Sequence, residues 1–417
     1  MAQKLNLDNS FRLYDEALKL IPGAILGIRR PYNFVEGEYP IFFETAKGVK
    51  VIDVDGNEYL DMLCAYGPII IGHREDEIDN AVIDQIKNKG FCFSLTQPIQ
   101  NELAKILRKL IPSCEKMVFM KMGSDATTAA IRTARAYTKR TKILHCGYHG
   151  WHDWSCEVYG VEAGIPEKFK EDIIPFEFNN LIQIESILKK NKDQIAGIIL
   201  TPINTPGGRD VEMPKPGYLE GLRKICDENN IMLIFDEIRT GFRVDMGGAQ
   251  KMFNVIPDLA AFGKAMGNGY PISTLVGKKE VMDVMVEKVF LSSTFFPNSL
   301  SQIASLKTIE ILQRDNVLNV IAERGRIFAK QVHDSIEDNK IPCTFTGEPW
   351  MPYITFDPDP DYLYRKLRGE FYGQLIRRKV FLQPFHHGYI AYRHSEEELR
   401  YAAEMIDEAL KLCKKYI

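Results

Sequence analysis

“IMLIFDEIRTGF”, residues 231–242, places five consecutive apolar residues immediately before an aspartate, Asp236. A short apolar run of this kind is typical of a strand that is buried on both faces. Similar runs lie at 116–121 and 196–200, and helical patterns alternate with such runs from about residue 80 to residue 290. This alternation predicts an α/β domain with a mostly parallel sheet flanked by helices.

The two ends of the chain carry a different pattern. Residues 9–21 are spaced as an amphipathic helix, and residues 49–63 read as two strands around a turn. A helical stretch, short strands and a final helix follow residue 300, and Ser395 with Glu398 forms a capping-box pattern. We expect these ends to form a smaller α+β domain, with the chain divided at 1–70, 71–299 and 300–417.

Composition narrows the functional class. The 417 residues are 45% hydrophobic and carry a formal net charge of -3, so no global basic field points to nucleic acid. The apolar runs are too short to span a bilayer. We expect a cytoplasmic protein with reduced thiols, because no Cys-x-x-Cys pair and no signal peptide occur among or before its cysteines. The cysteines are Cys64, Cys92, Cys114, Cys146, Cys156, Cys226, Cys343 and Cys413.

Two charged residues stand where a parallel sheet holds its ligand, beyond the carboxyl ends of the strands. Asp236 follows the apolar run directly, and Lys264 lies in “AFGKAMGNGYPI”, residues 261–272, among three glycines. A carboxylate at a strand end is a suitable partner for a cationic heterocycle nitrogen, although an aspartate can also cap the next turn. Likewise, Lys264 is either a reactive amine in a crevice or an ordinary solvated lysine.

The segment “MGSDATTAAIRTARAYTKR”, residues 122–140, predicts a helix that begins after a strand. Gly123, Ser124 and Asp125 form its start, where free N–H groups, a hydroxyl and the helix dipole favour a phosphate. The alternative is an ordinary serine cap. There is no Walker A loop and no GxGxxG fingerprint, which disfavours nucleotide-triphosphate and dinucleotide chemistry.

The segment “GYHGWHDW”, residues 147–154, is dense in aromatic and imidazole groups. His149, His152 and Asp153 could be metal ligands, but their spacing does not place both histidines well on one helix face, and no further clear ligand set follows. We therefore expect no metal. An aromatic wall for a flat ligand is the better interpretation, with Tyr148 as the stacking residue.

These elements together fit one cofactor. A phosphate site, a carboxylate for a ring nitrogen, an aromatic plate and a lysine are what pyridoxal 5'-phosphate needs. Lys264 would hold the cofactor aldehyde as a Schiff base, and Asp236 would keep the pyridine protonated so that the ring acts as an electron sink.

From about residue 10 to residue 412, the chain resembles the class-III pyridoxal-phosphate aminotransferases of fold type I. The specific segments are “IFDEIRTGFR” and “FGKAMGNGYPIS”, supported by “GYHGWHDW”, “DVDGNEYLD” and “MGSDATT”. The resemblance implies that Lys264 is the Schiff-base lysine and proton shuttle, with Asp236 as the pyridinium partner. It also implies a homodimer with shared active sites, because Thr294 matches a threonine that reaches the phosphate of the neighbouring subunit.

The resemblance assigns the other cofactor contacts as well. Gly123 and Ser124 would hold the phosphate, while Tyr148 and Ile238 would cover the two ring faces. Where the family usually has Glu-Pro, this chain has Thr-Pro-Ile-Asn at 201–204, which makes Asn204 the candidate for the ring-oxygen contact. The predicted cofactor-binding set is Gly123, Ser124, Asp125, Tyr148, His149, Asn204, Asp236, Ile238, Lys264 and Thr294.

Two further segments indicate the substrate. “GIRRPYNFVEGEYP” (27–40) and “QPFHHGYIAYRH” (383–394) resemble those of members that transaminate 3-aminobutyryl-CoA with a keto acid such as 2-oxoglutarate. The resemblance makes Arg29, Arg30 and Arg393 substrate-binding candidates, with the first two facing CoA phosphates. The alternatives are a glutamate-1-semialdehyde aminomutase, a dinucleotide oxidoreductase, which the missing GxGxxG disfavours, and a non-catalytic regulator.

Overall fold

The computed structural model describes residues 2–155 and 163–417, so Cys156 lies outside the described residues. Packing divides the chain into two compact units. We call them the terminal unit (Met1–Asp76, Pro206–Val211 and Arg314–Ile417) and the central unit (Glu77–Thr205 and Glu212–Gln313). The domain limits expected from the sequence stay a prediction.

The strands of the described residues form three sheets, two in the terminal unit and one in the central unit. In chain order they are β1 Phe43–Lys47, β2 Lys50–Asp53, β3 Glu58–Asp61, β4 Lys116–Met120, β5 Lys142–Cys146, β6 Ile173–Pro175, β7 Ile195–Leu200, β8 Met232–Asp236, β9 Leu259–Phe262, β10 Ser273–Gly277, β11 Cys343–Thr346, β12 Tyr353–Phe356 and β13 Val380–Phe381.

The helices of the described residues vary from one turn to more than six turns in length. In chain order they are α1 Asp8–Leu18, α2 Asp76–Asp84, α3 Ile99–Leu110, α4 Gly123–Thr138, α5 Glu167–Glu171, α6 Leu181–Lys190, α7 Tyr218–Asn229, α8 Ala249–Met252, α9 Lys279–Lys288, α10 Ser299–Arg314, α11 Val317–Asn339, α12 Leu363–Arg377 and α13 Glu396–Cys413.

The central unit is built on a sheet whose seven described strands lie in the order β4-β10-β9-β8-β7-β5-β6. Strand β10 pairs antiparallel with both neighbours, and the other described pairings are parallel. The carboxyl ends of β4, β5, β7, β8 and β9 therefore share one edge. This confirms the mostly parallel sheet and the strands predicted from the apolar runs.

Helix α4 fits closely into the central unit because the residues on its inner face are small. Its alanines Ala126, Ala129, Ala130 and Ala134 are buried with Ile199, Ile234 and Leu275 from the sheet. Small side chains let a helix backbone come near a neighbouring surface without leaving voids. The helix begins at Gly123, as the sequence predicts, and this packing fixes where its first turn lies.

The terminal unit has a sheet in the order β1-β2-β3-β13 and a separate antiparallel pair, β11 and β12. Strands β2 and β3 pair across the predicted turn. At the start of α13, Ser395 Oγ accepts a hydrogen bond from Glu398 N at 3.1 Å, and Glu398 Oε2 accepts one from Ser395 N at 3.0 Å. The predicted capping box is thus confirmed.

Two global features concern the chain's environment. The cysteines within residues 2–155 and 163–417 are free. In those same residues, no helix combines the length and the apolar character that crossing a membrane requires.

Candidate active site

Five strands of the central sheet deliver polar or small residues to a common edge, which we call the strand-end edge. The residues come directly from the strand ends or from the first turns that follow them. In chain order they are Gly123 and Ser124 after β4, Tyr148 and His149 after β5, Asn204 after β7, Asp236 at the end of β8 and Lys264 after β9.

Asp236 is held by hydrogen bonds on both of its carboxylate oxygens. His149 Nδ1 lies 2.8 Å from Oδ2, and Oδ1 accepts a hydrogen bond from Ile238 N at 3.1 Å. The other ring nitrogen of His149 lies 3.0 Å from the carbonyl oxygen of Cys146, and the indole of Trp154 stacks on the ring with centroids 6.1 Å apart. Asp236 is only 5% exposed, so its carboxylate is both oriented and shielded.

Lys264 is the residue whose setting differs most from that of an ordinary lysine. Its φ of +44° lies in the left-handed region, a strained conformation that is concentrated at functional sites. Burial lowers the pKa of its amine well below 10.5, and the positive charges of Arg239 and Arg243 lower it further, against the opposing charge of Asp236. Within the described residues the amine has no hydrogen bond or ion pair. The structure therefore provides an amine with a lowered pKa and with no hydrogen bond or ion pair in the described residues.

The first turn of α4 presents a hydroxyl to the same edge. Ser124 Oγ lies 3.4 Å from Trp151 N and accepts its hydrogen bond. The carboxylate of Asp125, in contrast, accepts hydrogen bonds from the backbone N–H groups of Met122 at 2.9 Å and Lys121 at 3.4 Å. Asp125 thus caps the helix, and Ser124 is the side chain that remains near the helix N-terminus.

The glycines around Ile238 and Ser124 leave no space for a side chain. A Cβ at Gly123 would lie 3.3 Å from the Ile238 side chain, and one at Gly263 would lie 3.0 Å from Ile238 Cδ1. At Gly150 a Cβ would lie 2.4 Å from Ser124 Oγ. Ile238 is therefore packed against the glycine that opens α4 and the glycine that precedes Lys264.

Tyr148 and Asn204 lie on the loops after β5 and β7. The guanidinium carbon of Arg239 is 6.0 Å from the centroid of the Tyr148 ring, and Arg239 Nη1 donates to the carbonyl oxygen of Thr205 at 2.9 Å. Asn204 is buried and pairs its backbone with Glu212 in both directions. A Cβ built on Gly147 would lie 3.7 Å from Asn204 Oδ1, so the asparagine side chain reaches the loop that carries Tyr148.

The remaining predicted residues come from other segments of the chain. Thr294 is exposed in the central unit. Arg29, Arg30 and Arg393 belong to the terminal unit, and the Arg393 guanidinium is engaged by Glu75 through two hydrogen bonds of 3.0 and 2.8 Å. The charge of Glu75 raises the pKa of Arg393.

Sequence reasoning missed three charged residues of the segment that follows β8. Arg239 and Arg243 act on the amine of Lys264, and Arg243 is fully buried. Glu237 is also fully buried, and its carboxylate accepts hydrogen bonds from Ala249 N and Gln250 N at 2.8 Å each. Burial raises the pKa of Glu237 to about 7. The quoted motif contains all three residues, but their partners are not readable from spacing.

The histidines of the loop after β5 are used for hydrogen bonds within the fold. His152 Nδ1 lies 2.7 Å from Thr128 Oγ1, while His149 contacts Asp236. Across the described ranges, no three histidine, cysteine, aspartate or glutamate side chains form a group that could hold a metal ion.

These residues fit pyridoxal 5'-phosphate. The Lys264 amine, with its lowered pKa, suits an aldehyde. The oriented carboxylate of Asp236 suits a pyridinium nitrogen, and the α4 N-terminus with Ser124 suits a phosphate. The packing of Ile238 between two glycines offers an apolar surface for a flat ring. The fit rests on a half-buried lysine whose amine has no hydrogen bond or ion pair among the described residues.

Comparison with known proteins places the chain beside others with this arrangement. The family model described as aminotransferase class-III matches residues 32–344. The chain is 61% identical over 417 residues to the 3-aminobutyryl-CoA aminotransferase of Cloacimonas acidaminovorans, covering 100% of both. It is 33% identical to the glutamate-1-semialdehyde 2,1-aminomutase of Archaeoglobus fulgidus, over 97% of this chain and 100% of the relative.

Solved structures have the same fold. The FumI protein of a Sphingopyxis species, in its PLP internal aldimine form, superposes with a TM-score of 0.90 at 27% identity, over 97% of this chain and 96% of that one. An omega-transaminase from Sphaerobacter thermophilus superposes with a TM-score of 0.88 at 25% identity, over 97% of both chains.

Proposed function

The chain belongs to the class-III aminotransferases, and on that premise we propose that its amino substrate is 3-aminobutyryl-CoA and its acceptor a keto acid such as 2-oxoglutarate. It is an aminotransferase of fold type I that uses pyridoxal 5'-phosphate. The observation that carries the choice of substrate is the 61% identity, over the full length of both chains, to a relative named for that substrate.

Lys264 is the proposed catalytic base. When bound, pyridoxal 5'-phosphate supplies an aldehyde that carries the amino group and a ring that accepts electrons. Lys264 Nζ, kept neutral by burial and by Arg239 and Arg243, would take the proton from the substrate carbon that bears nitrogen. A charged ammonium could not accept that proton, so the lowered pKa is the property that the mechanism needs.

Asp236 is the proposed partner of the ring nitrogen. A fixed negative charge at this position favours a protonated pyridine, which is the electron-accepting form. His149 and the backbone of Ile238 hold the carboxylate in one orientation, so no reorganisation is needed during the reaction. His149 would therefore act behind Asp236 as a positioning residue.

The other contacts are assigned by position. Gly123 and Ser124, at the start of α4, would bind the phosphate, and Asp125 would keep that turn in shape by capping it. Tyr148 and Ile238 would cover the ring faces, and Asn204 would approach the ring oxygen. Asn204 is suitable because its amide can donate to an oxygen.

The proposed assembly is a cytoplasmic homodimer in which Thr294 of one subunit reaches the phosphate site of the other. Its support is that Thr294 is exposed next to large apolar side chains that are also exposed, which is typical of an interaction surface. These side chains are Val286, Phe290 and Phe295. Sedimentation velocity tests the assembly, because a monomer at working concentration would contradict it.

A second candidate is the aminomutase reaction, in which both halves proceed on one bound molecule. The 33% identical aminomutase of Archaeoglobus fulgidus keeps this alternative open. A specific test separates the two: an aminomutase converts glutamate 1-semialdehyde without any keto acid, whereas the proposed enzyme needs one to complete its cycle.

The deciding experiment is the first half-reaction in the absence of an acceptor. Cofactor-loaded enzyme is mixed separately with 3-aminobutyryl-CoA, free 3-aminobutyrate and glutamate, and the visible absorbance of the bound cofactor is followed. We expect the thioester to bleach this absorbance and the free acid not to. A response to the free acid equal to that of the thioester would reject the CoA substrate.

A further inference from the structure

A cavity of about 570 Å³ lies in the terminal unit, and Arg29 is the one residue assigned above that lines it. Its walls come from α1 and from the stretch 29–41, which we call the aromatic segment. Four aromatic residues and two charged residues among its walls are important for binding. They are Phe11, Tyr14, Tyr32 and Phe34, with Arg29 and Glu36. A volume of several hundred Å³ with apolar walls and a few polar groups is typical of a small-molecule site.

The aromatic rings offer surfaces for a flat ligand. Tyr32 is 71% exposed, although a tyrosine ring usually packs against other residues. Phe34 is anchored behind it, with its ring centroid 5.1 Å from that of Tyr39, whose hydroxyl donates to the carbonyl oxygen of Leu382 at 2.5 Å. The cavity therefore combines a fixed wall with a ring that is still available for stacking.

Arg29, which lines this cavity, and its neighbour Arg30 differ from two other arginines of the terminal unit. Arg377 and Arg393 each make two hydrogen bonds to a glutamate. Arg29 and Arg30 have no carboxylate partner within residues 2–155 and 163–417. The Arg29 guanidinium lies over the ring of Tyr66, 5.2 Å from its centroid, and Arg30 Nε donates to a backbone carbonyl. Both guanidinium groups retain donors that an anion could use.

Glu36 supplies the complementary group. It is exposed and lines the same cavity, and no hydrogen bond or ion pair engages it in the described parts of the chain. A carboxylate accepts hydrogen bonds only, so it recognises an N–H donor on the ligand. Aromatic rings, one arginine without a carboxylate partner in the described residues and one acceptor together suit a flat base that carries an amino group and phosphates.

We propose that this cavity binds the adenosine 3',5'-bisphosphate end of a CoA thioester. The adenine stacks on Tyr32, its exocyclic amine donates to Glu36, and Arg29 binds the phosphates through its forked donors. The proposal rests on the proposed function and adds the part of the molecule that recognises CoA. It also explains how a thioester is distinguished from a free amino acid, since the free acid has neither the base nor the phosphates.

The test compares two thioesters that differ only in this nucleotide. KM is measured for 3-aminobutyryl-CoA and for the 3-aminobutyryl thioester of 4'-phosphopantetheine with the wild type, Arg29→Ala, Tyr32→Ala and Tyr32→Phe. We expect Arg29→Ala to change the ratio of the two KM values about 10- to 100-fold against CoA, because charged hydrogen bonds are lost. Tyr32→Ala should act in the same direction, and Tyr32→Phe, which keeps the ring, should retain the wild-type ratio.

Arg12→Ala is the matched control, because Arg12 is an exposed arginine on α1 that does not line the cavity. It should keep the wild-type ratio. An unchanged ratio in both Arg29→Ala and Tyr32→Ala would overturn the proposal while leaving the CoA substrate in place.

A failure of the proposed function looks different, because neither thioester would then react with the wild type. In that case calorimetry with adenosine 3',5'-bisphosphate tests the cavity alone. Binding that is weakened by Arg29→Ala and Tyr32→Ala, but not by Arg12→Ala, would support the site. No binding, or binding that the two variants leave unchanged, would reject it.

Discussion

The strand-end edge and the aromatic segment differ in whether their charged side chains already have partners within the protein. At the strand-end edge, the carboxylate of Asp236 already has its partners, His149 Nδ1 at 2.8 Å and Ile238 N at 3.1 Å. In the aromatic segment, Arg29 and Arg30 have no carboxylate partner among the described residues. The proposed catalytic carboxylate is thus oriented in advance by the protein, whereas the arginines retain hydrogen-bond donors.

The backbone explains the difference. Parallel strands end together and deliver their following residues to one place, where a rigid sheet can hold charges in fixed positions. Two single 3-10 turns occur in this part of the chain. Gly27–Arg29 ends where the aromatic segment begins, and Pro31–Asn33 lies inside the segment. Irregular segments like this one can change in sequence at low cost to the fold, so specificity can vary there independently of the chemistry.

Removing the amine of Lys264 should have the largest effect and tests whether the strand-end edge carries the chemistry. We expect Lys264→Ala to slow the half-reaction by about 10⁴-fold or more, because both the covalent link and the base are lost. The half-reaction is followed by absorbance and the fold by circular dichroism. Lys224→Ala, on the exposed face of α7, is the control and should react normally. Equal rates in the two variants would refute the assignment.

Asp236→Asn should have the next largest effect, because it keeps the shape of the side chain but removes its charge. We expect the rate of proton abstraction to fall about 10²- to 10³-fold, since the electron-accepting form of the ring is no longer favoured. The substrate is labelled with deuterium at the carbon that bears nitrogen, and the loss of this label to solvent measures the step directly. A wild-type exchange rate would mean that the charge of Asp236 has no part in the chemistry.

Sequence patterns predicted the strand-end edge well because it depends on regular structure. The apolar runs located β4, β7 and β8, and the residues after those strands followed from the rule for parallel sheets. Strand β10 was not predicted, because its antiparallel place between β4 and β9 depends on long-range pairing. The capping role of Asp125 was also missed, since the sequence does not show which way a side chain in a first turn points.

The roles of the charged residues that follow β8 could not be predicted from the sequence for a similar reason. Arg239, Arg243 and Glu237 stand in a recognisable motif, but their effect on Lys264 or on the backbone depends on distances across several loops. The aromatic segment shows the same limit. Its sequence resembles that of a relative named for a CoA substrate. The cavity, and the lack of carboxylate partners for its arginines in the described residues, can be seen only in the three-dimensional structure.

The titration of Glu237 should make the free energy of unfolding depend on pH. Burial raises its pKa from 4.5 to about 7, so between these pH values the folded state holds a proton that the unfolded state has lost. This group therefore lowers the free energy of unfolding as pH rises through that window. Relative to Glu237→Gln, which does not titrate, the wild type should lose about 3 kcal/mol between pH 4 and pH 8.

Urea unfolding of both proteins at several pH values measures this difference. A difference between the wild type and Glu237→Gln that stays constant with pH would contradict the predicted titration.

His149 should have a smaller effect, because it acts through Asp236. We expect His149→Ala to lower kcat about tenfold, as one hydrogen bond to a charged group is lost. His149→Asn, which can still donate to the carboxylate, should recover part of the rate. His152→Ala removes the neighbouring histidine that pairs with Thr128 and should leave kcat unchanged. Without recovery in His149→Asn, the role of His149 would be packing against Trp154 rather than orientation of Asp236.

The smallest expected effect is that of Arg29→Ala on the free energy of unfolding. It tests directly the comparison between the strand-end edge and the aromatic segment. An exposed arginine without an ion pair contributes little to the fold, so Arg29→Ala should change the free energy of unfolding by less than about 0.5 kcal/mol. Arg377→Ala leaves the buried carboxylate of Glu38 with only Lys4 as a partner and should cost about 2 kcal/mol or more. Denaturant titration of the cofactor-loaded protein measures both. If Arg29→Ala cost as much as Arg377→Ala, Arg29 would be a structural residue, and the contrast between a preorganised edge and a segment that keeps its charges for a ligand would fail.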